Sequence, residues 1–228
     1  MTIEIVKGPG NAAAHVTLEG NERITSEGGA MIAASGDLQV TTDTRGGNGG
    51  GFLKSMRRAI GGESFFVNHY TAPASGGELF LGTTLAGDMT VIDVPESGLA
   101  IEGGGFVAGE DGVSIDMSWK GFKSLFSGEG LIWLKAEGNG RVVVNSFGGM
   151  YTVDVDGEYI VDTGHIVAFE NTLDFRVRKS GSSWLGALLG GEGLVCRFSG
   201  QGRVWCQSHC RSAFGRILGP KLKPRKKN

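Results

Sequence analysis

Short runs of alternating apolar and polar residues recur along the whole chain. TIEIV (2–6), LQVTT (38–42), VSIDM (113–117), RVVVN (141–145), TVDVD (152–156), LDFRVR (173–178) and RVWCQ (203–207) are the clearest. A period of two places successive side chains on opposite faces of a strand. Helical spacing is scarce, and clusters of Gly, Asn, Asp and Ser bound most runs. The pattern predicts an all-β chain of antiparallel sheets. LIWLKAEGNGRVVVN (131–145) reads as a hairpin, with Glu137-Gly138-Asn139-Gly140 supplying residues that tolerate positive φ.

The pattern also repeats on a longer scale. SEGGAMIA (26–33), IEGGGFVA (101–108) and VDTGHIVA (161–168) share an acid, a spacer, Gly, a spacer, two apolar residues and Ala. The matched acids are Glu27, Glu102 and Asp162. The matched glycines are Gly29, Gly104 and Gly164, and the matched alanines are Ala33, Ala108 and Ala168. A second motif follows in each unit, containing Gly62-Glu63, Gly128-Glu129 and Gly191-Glu192. An apolar segment with an aromatic precedes each pair. Phe52, Leu53 and Met56 belong to the first, Trp119, Phe122 and Phe126 to the second, and Trp184 and Leu185 to the third.

Three units follow, at about 15–89, 90–151 and 152–214. Units this small bury little core alone, whereas neighbours that share a core cover one another's edges. One β domain over 1–219 with pseudo-threefold symmetry is expected, followed by a basic, disordered tail over 220–228.

GGGFLKSMRRAIGGESFFVNHYTA (49–72), with SEGGAMIA before it, resembles prokaryotic relatives of the altered-inheritance-of-mitochondria protein twenty-four family. The likeness runs over about residues 1–215. It implies three fused β-modules similar in fold to the trp RNA-binding attenuation protein. The family's prokaryotic members have no established biochemical function, and the yeast relative is tied to inner-membrane organisation in mitochondria. Neither tryptophan nor RNA binding carries over from a likeness of fold.

Composition sharpens this picture. The chain has 41 glycines and 5 prolines among 228 residues, which suits many tight turns. Its net charge is −2, so nucleic acid is not an expected partner. Five of the 22 Lys and Arg residues stand in the last nine positions with no acid among them: Lys221, Lys223, Arg225, Lys226 and Lys227. The three cysteines and the lack of a signal peptide point to a cytoplasmic, reducing location, with peripheral membrane contact as an addition.

Candidate chemistry is sparse. GGNGGGFLKS (46–55) imitates a phosphate loop but lacks Gly-Lys-Ser/Thr in sequence and reads as an inserted loop. Cys196, Cys206, His209 and Cys210 could form a zinc site if SGQG (199–202) closed a hairpin. Without paired knuckles they read as small buried thiols and a surface histidine. Glu63, Glu129 and Glu192 are structural turn residues or, if they converge on an axis, ligands for a hard cation.

No catalytic residue or cofactor is expected, and the chain reads as a non-enzyme. The apolar segments form the candidate binding rim: Phe52, Leu53, Met56, Trp119, Phe122, Phe126, Trp184 and Leu185. With Lys54, Arg57, Arg58, Lys120 and Lys123 nearby, the rim suits a homo-oligomer interface or an anionic membrane surface. It equally suits an inward cap on the core. A non-catalytic scaffold, a peripheral membrane protein and a ligand or metal binder at the axis remain the three functional readings.

Overall fold

The computed structural model describes residues 1–43, 66–116, 133–179 and 194–222. These residues fold almost wholly into antiparallel strands, arranged in three sheets. The first sheet has the order β1 (Thr2–Val6), β2 (Ala13–Leu18), β7 (Gly77–Leu81) and β4 (Met31–Ala34). The second has the order β5 (Gln39–Asp43), β6 (Val67–Thr71), β3 (Arg23–Glu27), β10 (Phe106–Glu110), β13 (Arg141–Asn145) and β8 (Met89–Asp93). The third has the order β11 (Val113–Asp116), β12 (Trp133–Gly138), β9 (Leu99–Glu102), β15 (Ile166–Glu170), β17 (Leu194–Gln207) and β14 (Met150–Asp162), with β16 (Asp174–Lys179) also paired to β17.

One pairing scheme underlies all three sheets. In each unit, the acid of the first motif ends a strand, a tight turn follows, and the alanine lies on the next strand. That next strand is β4, β10 or β15. Each carries a register shift just before its alanine, between Met31 and Ala33, Phe106 and Ala108, and Ile166 and Ala168. A bulge at this point twists the strand and re-aims its side chains. Ala108 and Ala168 are fully buried at this point, whereas Ala33 is exposed. The sequence motif is therefore the signature of a bulged corner.

The strands on either side of the first two corners belong to different sheets, whereas β14 and β15 lie in the same one. β3 pairs with β6 on one side and with β10 of the following unit on the other. β9 pairs in the same way with β12 and with β15. The contacts joining one unit to the next are thus main-chain ladders, with Ser26 opposite Ala108 and Ile101 opposite Ala168.

The expected hairpin over 131–145 does not form. β12 pairs with β11 and β9, whereas β13 pairs with β10 and β8. Residues 137–140 carry the chain from one sheet to another. Gly138 has φ +118° and lies against the Gly112 carbonyl, where a Cβ has no room. The expected turn at 199–202 also fails. β17 runs through these residues as one strand of 14 residues, opposite the 13-residue β14, with Gly157 facing Gly200 at positive φ in both. This glycine pair lets two long strands bend together and serve both halves of the third unit.

The core falls into three clusters. The first gathers Val16, Leu18, Ile24, Tyr70, Leu79 and Leu81 with Val107 and Val143 of the second unit. The second gathers Leu99, Ile101, Phe106 and Leu134 with Val167 and Trp205 of the third. The last contains Trp133, Ile166, Phe169, Phe198 and Val204. Phe169 meets Trp133, Phe175 and Phe198 at ring-centroid distances of 5.5, 5.3 and 5.0 Å, each at a steep interplanar angle. Edge-to-face geometry adds to the burial of these rings. Phe169→Ala removes the hub of this cluster and is expected to cost about 3–5 kcal/mol. Urea unfolding at constant pH measures it, and a loss under about 1 kcal/mol would contradict the assignment.

Candidate functional site

The first two bulged corners bring Glu27 and Glu102 to one region, where they meet the only α-helix among the described residues. This helix, α1 (Arg211–Leu218), follows β17. Its first residue anchors it: Arg211 Nη1 donates to Glu102 Oε2, and Nη2 donates to the Gly104 carbonyl at 2.6 Å. A Cβ on Gly104 would collide with the guanidinium. Glycine at this repeat position is what admits the arginine.

Each corner is closed by a different polar device. In the first unit, the Gly82 N–H donates to the Ala30 carbonyl at 2.7 Å. In the second, the Asn145 side-chain nitrogen faces the Gly104 and Gly105 carbonyls at 2.9 and 3.1 Å. In the third, Gln207 Nε2 donates to the Gly164 carbonyl at 2.9 Å, and its Oε1 accepts from the Phe147 N–H at 2.8 Å. The Asp162 carboxylate accepts from the Gly164 N–H at 2.8 Å. The His165 ring is tied through Nδ1 to the Gln207 carbonyl, 2.8 Å away. These bonds satisfy main-chain groups that the turns expose.

Glu27 is the unusual acid. Burial pushes its carboxyl up to about 7, Arg211 pulls it down and the Glu102 carboxylate raises it again. Two carboxylates thus share one guanidinium, which bonds to Glu102. A cleft of about 50 Å³ lies beside the pair, lined by Glu102, Thr163, Gly164, Ile166, Gln207, Arg211 and Ser212. That space is suited to one or two waters, far below the several hundred Å³ of a small-molecule site.

The cysteines stand apart. β17 holds Cys196 opposite Val161 and Cys206 opposite Tyr151, in separate halves of the strand. Burial pushes the Cys196 thiol up to about 12 and that of Cys206 to about 11, which keeps both protonated and poorly nucleophilic. Cys210 Sγ lies 3.1 Å from Ser212 Oγ. Among the described residues no cluster of three or more His, Cys, Asp or Glu side chains could hold a metal ion. His69 is buried and bonded through Nδ1 to Thr25 Oγ1 at 2.7 Å.

The rim residues Phe52, Leu53, Met56, Trp119, Phe122, Phe126, Trp184 and Leu185 lie outside the described residues, as do Glu63, Glu129 and Glu192. Sequence reasoning did find Glu27, Glu102 and Asp162 as matched positions. It missed Asn145, Gln207 and Arg211. The signal for the first two was present: an amide residue ends both RVVVN and RVWCQ, at matched places in the repeat.

Glu27 makes a prediction. Its carboxyl stays neutral to higher pH in the fold than in the unfolded chain. The associated stability is full below pH 4.5 and is lost as pH rises toward 7. Wild type should lose on the order of 2–3 kcal/mol across this window at this position. Glu27→Gln should remove that part of the loss, read from urea midpoints near pH 5 and near pH 8. An identical pH response in wild type and variant would contradict it.

Comparison with known proteins identifies relatives over most of the chain. An uncharacterised protein of Streptococcus pyogenes serotype M6 is 27% identical over 199 residues, covering 85% of this chain and 79% of the relative. A crystal structure of a Streptococcus pyogenes protein superposes with a TM-score of 0.79 at 22% identity, covering 97% of this chain and 99% of the other. That likeness establishes the shared fold. The model of the mitochondrial biogenesis AIM24 family matches residues 3–209, nearly the whole chain. The chain belongs to that family.

Proposed function

We propose that this protein is a non-catalytic β-scaffold that works by binding other macromolecules and assembles with copies of itself. One observation carries the reading. Large apolar side chains are left exposed on strands β4 and β14 and on α1, while the Cys196 and Cys206 thiols and the His69 ring are buried. Met31 and Ile32 are exposed on β4, and Tyr159 and Ile160 on β14. Apolar groups gathered on strands and a helix mark surfaces that another molecule covers. The reading predicts that protein purified from its own cells runs in native mass spectrometry as an assembly larger than one chain. A single chain with nothing bound would overturn it.

A second reading rests on α1. Phe214, Ile217 and Leu218 are exposed along it, and Leu222 just beyond its end. The three helical residues follow helical spacing, and Phe214 is tethered to Phe147 at 5.5 Å between ring centroids. Arg216 and Lys221 stand among them, and the sequence continues with Lys223, Arg225, Lys226 and Lys227. No helix among the described residues is long and apolar enough to cross a membrane. An apolar stripe beside cations instead suits contact with an anionic bilayer surface. Vesicles containing anionic lipid should co-sediment the full chain at low salt. Ile217→Asp with Leu218→Asp should reduce binding by about tenfold or more without changing the unfolding midpoint. Failure of wild type to bind at low salt would sink this reading.

A further inference from the structure

The chain contains two joints between units and has the parts for a third. β3 receives β10, with Ser26 opposite Ala108, Thr25 opposite Gly109 and Ile24 opposite Glu110. β9 receives β15, with Ile101 opposite Ala168, Ala100 opposite Phe169 and Leu99 opposite Glu170. The matching strand of the third unit is the end of β14, residues 158–162, which ends on the acid Asp162. The matching bulged strand of the first unit is β4. Among the described residues, β4 pairs only with β7, and β14 only with β17. Each therefore has one open edge, at opposite ends of the series.

Burial at matched positions shows what these edges lack. Phe106 and Val107 in β10 are 0% exposed, and Ile166 and Val167 in β15 are 1% exposed. Their counterparts in β4, Met31 and Ile32, are 49% and 61% exposed. Ile24 in β3 and Leu99 in β9 are fully buried, whereas their counterpart Tyr159 is 47% exposed. Val107 enters the core of the first unit and Val167 that of the second. Nothing from a following unit enters the third core. Ile32 holds the position matching Val107 and Val167, and among the described residues no unit stands before it. β4 also lacks the charges and prolines that ordinarily protect a sheet edge.

We propose that β4 of one copy of this chain pairs antiparallel with residues 158–162 of a second copy, repeating the joint found twice within the chain. The register is fixed by the repeat: Ala33 opposite Val161, Ala34 opposite Ile160, and Ser35 opposite Tyr159. Ile32 then completes the third core of the second copy, beside the half-buried Val153, Phe175 and Val177. The contact uses different surfaces on the two copies, so it joins them head to tail and leaves one open edge of each kind. This inference rests on the self-assembling scaffold reading and names its partner and surface.

The test uses the full-length chain and light scattering at micromolar concentration. Wild type should exceed the mass of one chain. Ile32→Asp and Ile160→Asp should each run as monomers. Both residues are exposed in the single chain, so each variant should keep the wild-type unfolding midpoint at low concentration. Mixing the two variants should restore a dimer, because each retains one intact edge of the complementary kind.

Register is read separately. On a Cys210→Ser background, Ala34→Cys protein mixed with Ile160→Cys protein should form a disulfide-linked pair under mild oxidation. Neither should do so alone. Monomeric wild type would overturn the pairing, as would variants with unchanged mass. A disulfide formed only within one chain carrying both cysteines would also overturn it, since the edges would then close on themselves. If the recombinant chain is monomeric but the protein from its own cells carries a different partner, the pairing fails and the scaffold reading stands.

Discussion

The structure depends on a main-chain ladder between a strand that ends in an acid and a bulged strand of the next unit. Everything else follows from the need to make that joint. The bulge before Ala108 or Ala168 twists the strand so that its residues serve both their own unit's core and the core of the unit before it. Val107 and Val167 show the consequence, since each lies in the preceding core. No unit is complete alone, which is why so short a motif must recur.

A joint of this kind demands small residues and satisfied turns. Glycine at 104 leaves room for Arg211, and this single side chain ties the helix after the last strand to the corner of the second unit. The same guanidinium moderates the repulsion between Glu27 and Glu102. The Arg211 side chain is 29% exposed, so its charge is partly withdrawn from water and needs partners at the corner. Here the carboxylate and a carbonyl supply the partners. The corners tolerate different residues at their centres, Ala30, Gly105 and His165, because each corner is held by its own amide or N–H donor.

Much of this architecture was legible in the sequence, for a physical reason. A bulged turn constrains residue type at fixed offsets, so Glu27, Glu102 and Asp162 and their following glycines and alanines stand out. Alternation revealed the strands for the same reason, because one face of each is buried. Partnership was not legible. The hairpin expected over 131–145 has the right turn chemistry, yet Gly138 and Gly140 serve a crossing between sheets. Strand pairing depends on long-range packing that period-two patterns do not encode. The bend at Gly157 and Gly200 likewise concealed β14 and β17 behind what read as separate strands. The expected rim, from Phe52 to Leu185, lies outside the described residues. The exposed apolar groups that support a binding role are instead Met31, Ile32, Tyr159 and Ile160 on the sheets and Phe214, Ile217 and Leu218 on the helix.

The central claim is that the two ends of the series are halves of one joint. Hydrogen exchange of the main-chain amides in β4 and in residues 158–162, followed as protein concentration rises, tests it most directly. The account predicts that exchange in both segments slows together at high concentration, toward the protection found in β10 and β15. Exchange that stays fast in both at every concentration, while β10 and β15 remain protected, would contradict it.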